Sequence, residues 1–399
     1  MTSASHPSPA STTSRAEFFW RIPTHGDGRS VASSSWNRGE WKSASARSIA
    51  PGQRDGAPDA YGYIDYMAQV AKACELAGFD GALVPSSLVS DEPLMVAAAL
   101  ARETRTLRFM TAFQPGFITP AYAAKMGATL QRISGGRLEW NVITGGSAPA
   151  QLAYGDVLPH DDRYVRTGEW LDVIDGFWKG SPYDHKSSLY EVRGGGLTAP
   201  LSNTRKPGIY FSGASEPALQ VAARHADYYL MWLEPLEQMQ ATMTRLNRMA
   251  AEHGRTPGYG LRVDVFARET EEEAWAEARR LWDGFDPTAP KKANPMTSVG
   301  GGDSVGAQRQ AALRNPEASR FEDYLIGPNL WSGLGVIRPG PTIGIFGSYQ
   351  QVADRLVEYV DAGFGNFILA ANPHLEEALR IGEEVLPRVR AALAQRKAR

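Results

Sequence analysis

The chain has 399 residues, 43% of them apolar and 22% charged, so it is long enough to bury a large core in the ordinary manner of a globular protein. A formal charge of −2 gives no reason to expect nucleic acid or an anionic membrane as partner, and no run approaches about 18 consecutive apolar residues, so no transmembrane helix is predicted. The single cysteine, Cys74, excludes an intrachain disulfide and fits a reducing, cytoplasmic setting.

Residues 1–15, rich in Ser, Thr, Pro and Ala with no apolar run, read as a disordered tail and not a secretory signal. A first strand over Phe18–Ile22 ends at Pro23. Residues 33–59 then form a long loop with Trp36 and Trp41, whose role as lid, interface or mobile segment stays open. Ile64, Met67, Ala71 and Cys74 at helical spacing predict a helix over 60–77, stopped by Gly78. From there strand and helix alternate: 81–84 then 91–103, 108–113 then 120–133, 137–143 then 162–178, 208–213 then 216–226. The same order continues with 227–232 then 235–253, 261–267 then 270–282, and 366–371 then 375–394. Eight strands, each followed by a helix, predict a (β/α)8 TIM barrel as one domain over 16–399. No Gly-x-Gly-x-x-Gly follows the first strand, which removes support from a dinucleotide-binding sheet.

One interval breaks the rhythm. About 284–346, the largest insertion, precedes the last strand and contains a short helix over 303–313 capped by Asp303 or Ser304; a further helix, 348–362, starts at Ser348. The insertion reads as a lid over the catalytic face, or alternatively as an excursion used for oligomer contacts.

In a barrel the loops after the strands share one face, so polar residues there are the candidates for chemistry. His25 follows strand one. Asn141 and Thr144 end strand four, and His160 and Tyr164, four apart, share one helical face in the next loop. Gly213, Ala214 and Ser215 open a helix whose free N–H groups suit a phosphate, although a simple cap is the plainer reading. For Tyr228 and Trp232 core packing is the default. Arg262 lies within strand seven, where it needs an anionic partner: a ligand, or Asp264 two residues on and therefore on the same face. Arg309 sits in the insertion, placed to arrive with a closing lid. Seven scattered histidines and no His-Glu-x-x-His give poor support for a metal site, and no Gly-x-Ser-x-Gly follows a strand, which removes support from a serine hydrolase.

Taken in order, PTHGDGR (23–29), GRLEWNVITG (136–145), HDDRY (160–164), YFSGAS (210–215), YLMWLEP (229–235), LRVDVFAR (261–268), DSVGAQRQAAL (303–313), NLWSGLG (329–335) and NPHLEEALR (372–380) resemble the bacterial luciferase-like superfamily, and within it the FMN-dependent alkanesulfonate monooxygenases. The resemblance implies reduced FMN delivered by a separate NAD(P)H-dependent flavin reductase, O2 as co-substrate, and a homodimer or homotetramer. Some relatives use deazaflavin F420 instead. His25, Asn141, Thr144, His160 and Tyr164 would line the flavin, and Gly213, Ala214 and Ser215 would hold its phosphate. Arg262 and Arg309 would match anion-contacting and lid arginines, and His374 a histidine at the pocket mouth. Three substrate-side positions depart from the sulfonate enzymes: Ser90 replaces a cysteine, Asp264 a histidine and Asn372 a tyrosine. Trp232 completes the expected substrate pocket. The expected reaction is C–S cleavage of an alkanesulfonate to aldehyde and sulfite. Asp264 as general base or N–H acceptor would instead favour C–N cleavage of an N-heterocycle, pyrimidine- or riboflavin-like. A flavin-binding protein without turnover is the remaining alternative.

Overall fold

The computed structural model describes residues 15–24, 26, 62–87, 90–145, 148–285, 304–313, 317–338 and 340–397. The expectations for residues 1–14, His25, 33–59 and the first part of the insertion, 286–303, lie outside the described residues. Within them, eight parallel strands close into a barrel: β1 (Glu17–Arg21), β2 (Gly81–Val84), β3 (Arg108–Phe113), β4 (Leu138–Val142), β5 (Ile209–Ser212), β6 (Tyr228–Trp232), β7 (Gly258–Arg268) and β8 (Asn366–Ala370). Each pairs with its chain neighbour, and β8 returns to β1 through Phe19–Ile368 and Trp20–Leu369. All eight are the strands expected from the sequence, and the helices between them start within about three residues of expectation.

Register and alternation sort the side chains into three layers inside the barrel. Paired residues on adjacent strands point the same way, and residues two apart share a face. The middle layer is apolar and sealed: Phe19, Leu83, Met110, Tyr210, Leu230 and Ile368 form one buried cluster. Two residues earlier on their strands come Glu17, Arg108 (by register), Tyr228 and Asn366, with Glu139 of β4 opposite Met110, at the N-terminal end. Two residues later come Arg21, Ala112, Ser212, Trp232 and Ala370, together with Asn141, Arg262 and Asp264, at the C-terminal end. Close packing needs Gly260 on β7, because a Cβ there would lie 2.4 Å from Leu230. Burying each large apolar side chain of that middle layer stabilises the fold by roughly 1.5–3 kcal/mol, and the same layer separates the polar residues at the two ends of the barrel.

Several elements were not anticipated. A hairpin of Tyr183–Lys186 with Glu191–Gly195 and a short helix Ala148–Ala153 fill the β4–β5 connection; the hairpin is half exposed and polar, so no apolar period marks it. After the helix Val305–Ala312, capped by Ser304, the chain forms Leu325–Gly327, Leu330–Trp331 and Gly344–Ser348. That last strand pairs in parallel with Asp264–Arg268, the outer half of β7, whose inner half is already paired with β6 and β8. Trp275, Phe321, Trp331 and Phe346 pack edge and face against one another and fix this segment to the barrel. The terminal helix, expected as one piece, is His374–Arg380, a π turn over Ile381–Val385, and Leu386–Lys397.

Candidate active site

Strand polarity brings the expected residues to one mouth of the barrel, in two groups. On the β4–β5 side, Asn141 ends inside the barrel and Thr144 follows it in the loop; both are buried, and neither Asn141 Oδ1 nor Thr144 Oγ1 has a hydrogen-bond partner. His160 opens the helix His160–Lys179, holds Asp161 through Nδ1 at 2.7 Å and lies edge-on to Tyr164 with ring centroids 5.1 Å apart, as their spacing required. Gly213 has φ +138°, and a Cβ there would stand 2.7 Å from Ala218 Cβ and 2.9 Å from the Tyr164 hydroxyl. Tyr229 donates to the Gly213 carbonyl at 2.5 Å, pinning the turn. Ser215 occupies the N-cap position of the helix Glu216–His225, yet its hydroxyl makes no capping bond. That hydroxyl is buried beside the Tyr164 hydroxyl, which burial pushes up in pKa and Ser215 holds partly down, and no well-formed hydrogen bond joins them.

Buried polar atoms without partners cost free energy comparable to a lost hydrogen bond, so a cluster of them at one mouth is the signature of a ligand surface. Next to them Gln151 donates to Gln114 at 3.0 Å while its own Oε1 is unpartnered. Sequence reasoning missed both amides. Gln114, one residue past β3, carried a positional signal; Gln151, on an unforeseen helix, carried none.

The second group is charged. Arg262 and Asp264 are two apart on β7 and pair at 2.5 Å between Nη1 and Oδ1; Arg338, from the insertion, takes Asp264 Oδ2. Arg21 ends β1 one step beyond the Trp20–Leu369 pair, which places it level with Ala370 and Asp264 across two neighbouring strands. Burial lowers the Arg262 pKa to about 9 in spite of its ion pair. Burial, then Arg262 and Arg21, lower Arg338 to about 9; burial, then Arg262, lower Arg21 to about 10. Among the described residues, Asp264 is the one carboxylate in ion-pair contact with any of the three. His374, first residue of its helix, stands edge-on to Trp20 at 6.0 Å, and its Nδ1 is buried without a partner. Burial, followed by Arg21, Arg262 and Arg338, drives its pKa well below that of an ordinary histidine, so the ring is neutral at pH 7.

The remaining expected residues stand apart from this cluster. Arg309 is 3.7 Å from Glu234, with a half-exposed side chain, and influences Tyr229 on the Gly213 side of the mouth, not Arg262. Ser90 Oγ accepts from Ser87 N at 2.7 Å and is used in a local turn. Trp232 is half-buried at the end of β6, in register with Arg262, and Asn372 is half-buried just past β8. Arg21 and Arg338 were not foreseen. Arg21 was legible in principle, since it shares a face with Phe19; Arg338 lies in a Gly- and Pro-rich stretch with no period to read.

A closed parallel barrel with an unsatisfied polar mouth at the C-terminal ends of its strands has the architecture of a barrel enzyme. A sequence model of the luciferase-like monooxygenases matches residues 47–366, most of the chain, and the chain belongs to that family. Solved structures agree in fold. A riboflavin lyase, determined with modified FMN and riboflavin as substrate, superposes with TM-score 0.68 at 20% identity over 95% of this chain and 92% of that one. DmoA from Hyphomicrobium sulfonivorans gives TM-score 0.69 at 20% identity over 95% and 88%, and the EDTA monooxygenase of Chelativorans sp. BNC1 gives 0.66 at 18% over 96% and 94%. No helix among the described residues is long and apolar enough to cross a membrane, and none of their acidic, His or Cys groups forms a metal cluster.

Proposed function

We propose that this chain is the oxygenase component of a two-component flavin monooxygenase, using FMNH2 from a separate NAD(P)H-dependent reductase and O2 to cleave the C–S bond of a small alkanesulfonate. The observation that carries this reading is the pairing, at one barrel mouth, of a neutral wall of unpartnered polar atoms with a buried arginine cluster that one carboxylate does not neutralise. The first suits a flavin and the second an anionic substrate. Family membership supplies the monooxygenase class, and the FMN of the riboflavin lyase structure supports the cofactor.

The residues present fit FMN. Asn141 and Thr144 would hold the ring through their unpartnered oxygens; Gly213, Ala214, Ser215 and Tyr164 would cradle the phosphate at a ten-residue helix whose dipole favours it. When bound, the reduced flavin supplies the two electrons that split O2 between product and water. The overall change is R–CH2–SO3⁻ + FMNH2 + O2 giving R–CHO + HSO3⁻ + FMN + H2O. Arg262 holds the sulfonate by charge-assisted hydrogen bonds and orients the C–S bond toward the flavin side. Neutral His374 takes up, at Nδ1, the α-carbon proton lost as the aldehyde forms. Asp264 pairs with arginine through both its oxygens, which weighs against its serving as a base or N–H acceptor and hence against the heterocycle alternative. The described part of the insertion delivers Arg338 to the mouth, which supports its role as a cover over the site.

The test is anaerobic titration with FMNH2 and with oxidised FMN, followed by air and a panel of sulfonates with a generic flavin reductase. Tighter binding of the reduced form and stoichiometric sulfite are expected. Reduced-flavin binding without sulfite from any sulfonate overturns the substrate; binding of neither flavin form overturns the cofactor.

A further inference from the structure

The arginines outnumber what a monoanionic sulfonate needs. Arg262 and Arg338 share Asp264, while Arg21 has no carboxylate partner among the described residues. Arg21 and Asp264 sit level with each other on β1 and β7, with Ala370 on the intervening β8 in register with Asp264. Two strand spacings put their backbones roughly 10 Å apart. Three guanidinium charges against the one carboxylate of Asp264 leave two positive charges, one more than a single sulfonate balances. A half-buried cation with no counter-charge among the described residues is unfavourable, and a bound anion relieves it.

Resting on the substrate site proposed above, we propose that the mouth selects a doubly charged substrate: a sulfonate at Arg262 whose short carbon chain carries a second acid group, a carboxylate, to Arg21 and Arg338. Arg21 is then the specificity determinant for the second charge. Its electrostatic coupling to Arg262, Arg338 and His374 agrees with this placement.

The experiment is isothermal titration of the flavin-free protein with 3-sulfopropanoate and with 1-propanesulfonate, which share a chain length and differ by one charge. The dianion is expected to bind ~10-fold tighter or more. Arg21→Gln leaves no carboxylate orphaned, so its fold is expected to persist, checked by its melting temperature. It should weaken 3-sulfopropanoate by ~10-fold while leaving propanesulfonate within about 3-fold, and Arg21→Lys should restore most of the difference. Equal affinity for the two probes in the native protein, or equal losses for both in Arg21→Gln, overturns the proposal. So does a loss of FMNH2 affinity in Arg21→Gln with 3-sulfopropanoate unchanged, which would assign Arg21 to the flavin. Because the titration contains no flavin, failure of FMNH2 to bind the native protein strikes the cofactor reading alone; binding of neither sulfonate strikes the substrate reading, and binding of both without charge selectivity strikes this one alone.

Discussion

The two ends of the barrel are built from the same residue types and solve opposite problems. At the N-terminal end two acids face two arginines: Glu17 is 2.8 Å from Arg108, Glu139 is 2.7 Å from Arg205, and Glu139 also accepts from Gly208 N at 2.6 Å. Burial works to lower the Arg108 pKa, but Glu17, Tyr210 and Glu139 hold it above the ordinary arginine value. At the C-terminal end two of three arginines share one aspartate and Arg21 has no carboxylate partner among the described residues; all three pKa values are depressed, and neighbouring hydroxyl and amide oxygens lack partners. Charge that is closed on itself holds the barrel together; charge left open awaits something from outside. The apolar layer of Phe19, Met110 and Ile368 keeps one from compensating the other.

That contrast breaks most sharply at Glu139. Glu139→Ala leaves Arg205 and the Gly208 N–H without their carboxylate and is expected to destabilise by about 2–3 kcal/mol in urea unfolding, while FMN affinity of the folded fraction is unchanged. A loss of ligand affinity equal to the loss of stability would show that the two ends are not independent. Gly213→Ala acts at the open end. Positive φ and the close approach of Tyr164 and Ala218 should cost about 1–3 kcal/mol of stability and weaken FMN at least ~10-fold by fluorescence titration.

His374 sharpens the comparison through pH. Its folded pKa lies below the unfolded value of about 6.5, so the folded state binds fewer protons and stability falls as pH drops below about 6.5. The slope attributable to this ring is at most about 1.4 kcal/mol per pH unit, and His374→Asn should remove it from unfolding curves between pH 7.5 and 5.5. A variant that keeps the native slope would place the proton uptake elsewhere. The smallest effect on stability is expected at Ser215. Since its hydroxyl makes no capping bond, Ser215→Ala should change stability by less than about 0.5 kcal/mol yet cost about 1.5 kcal/mol, or tenfold, in FMN affinity.

The barrel was readable because each strand is a short apolar run between turn residues, and strand order in a barrel follows chain order. The neutral polar side of the mouth was readable for a related reason: Asn141, Thr144 and Ser215 sit at strand ends or helix starts that sequence locates well. The charged side was half readable. Arg262 and Asp264 declare themselves by standing polar within an apolar strand. Arg338 does not, because its place depends on how a Gly-rich segment folds back, which no local period encodes. Arg309 was singled out by its place in the insertion, and its ion-pair contact among the described residues is with Glu234 at 3.7 Å.

The outer half of β7 bears on how such enzymes diversify. The excursion that delivers Arg338 leaves the barrel after the helix Glu271–Asp283 and returns on Gly344–Ser348, which is hydrogen-bonded to the very strand bearing Asp264. Departure and return are thus stapled to the same rigid edge, and the excursion behaves as a graftable cassette. A relative's segment spliced between those two points would leave the register of all eight barrel strands intact while replacing one of the arginines at the mouth. Inheritance of charge preference would then be modular, passed along or swapped in a single stretch of chain.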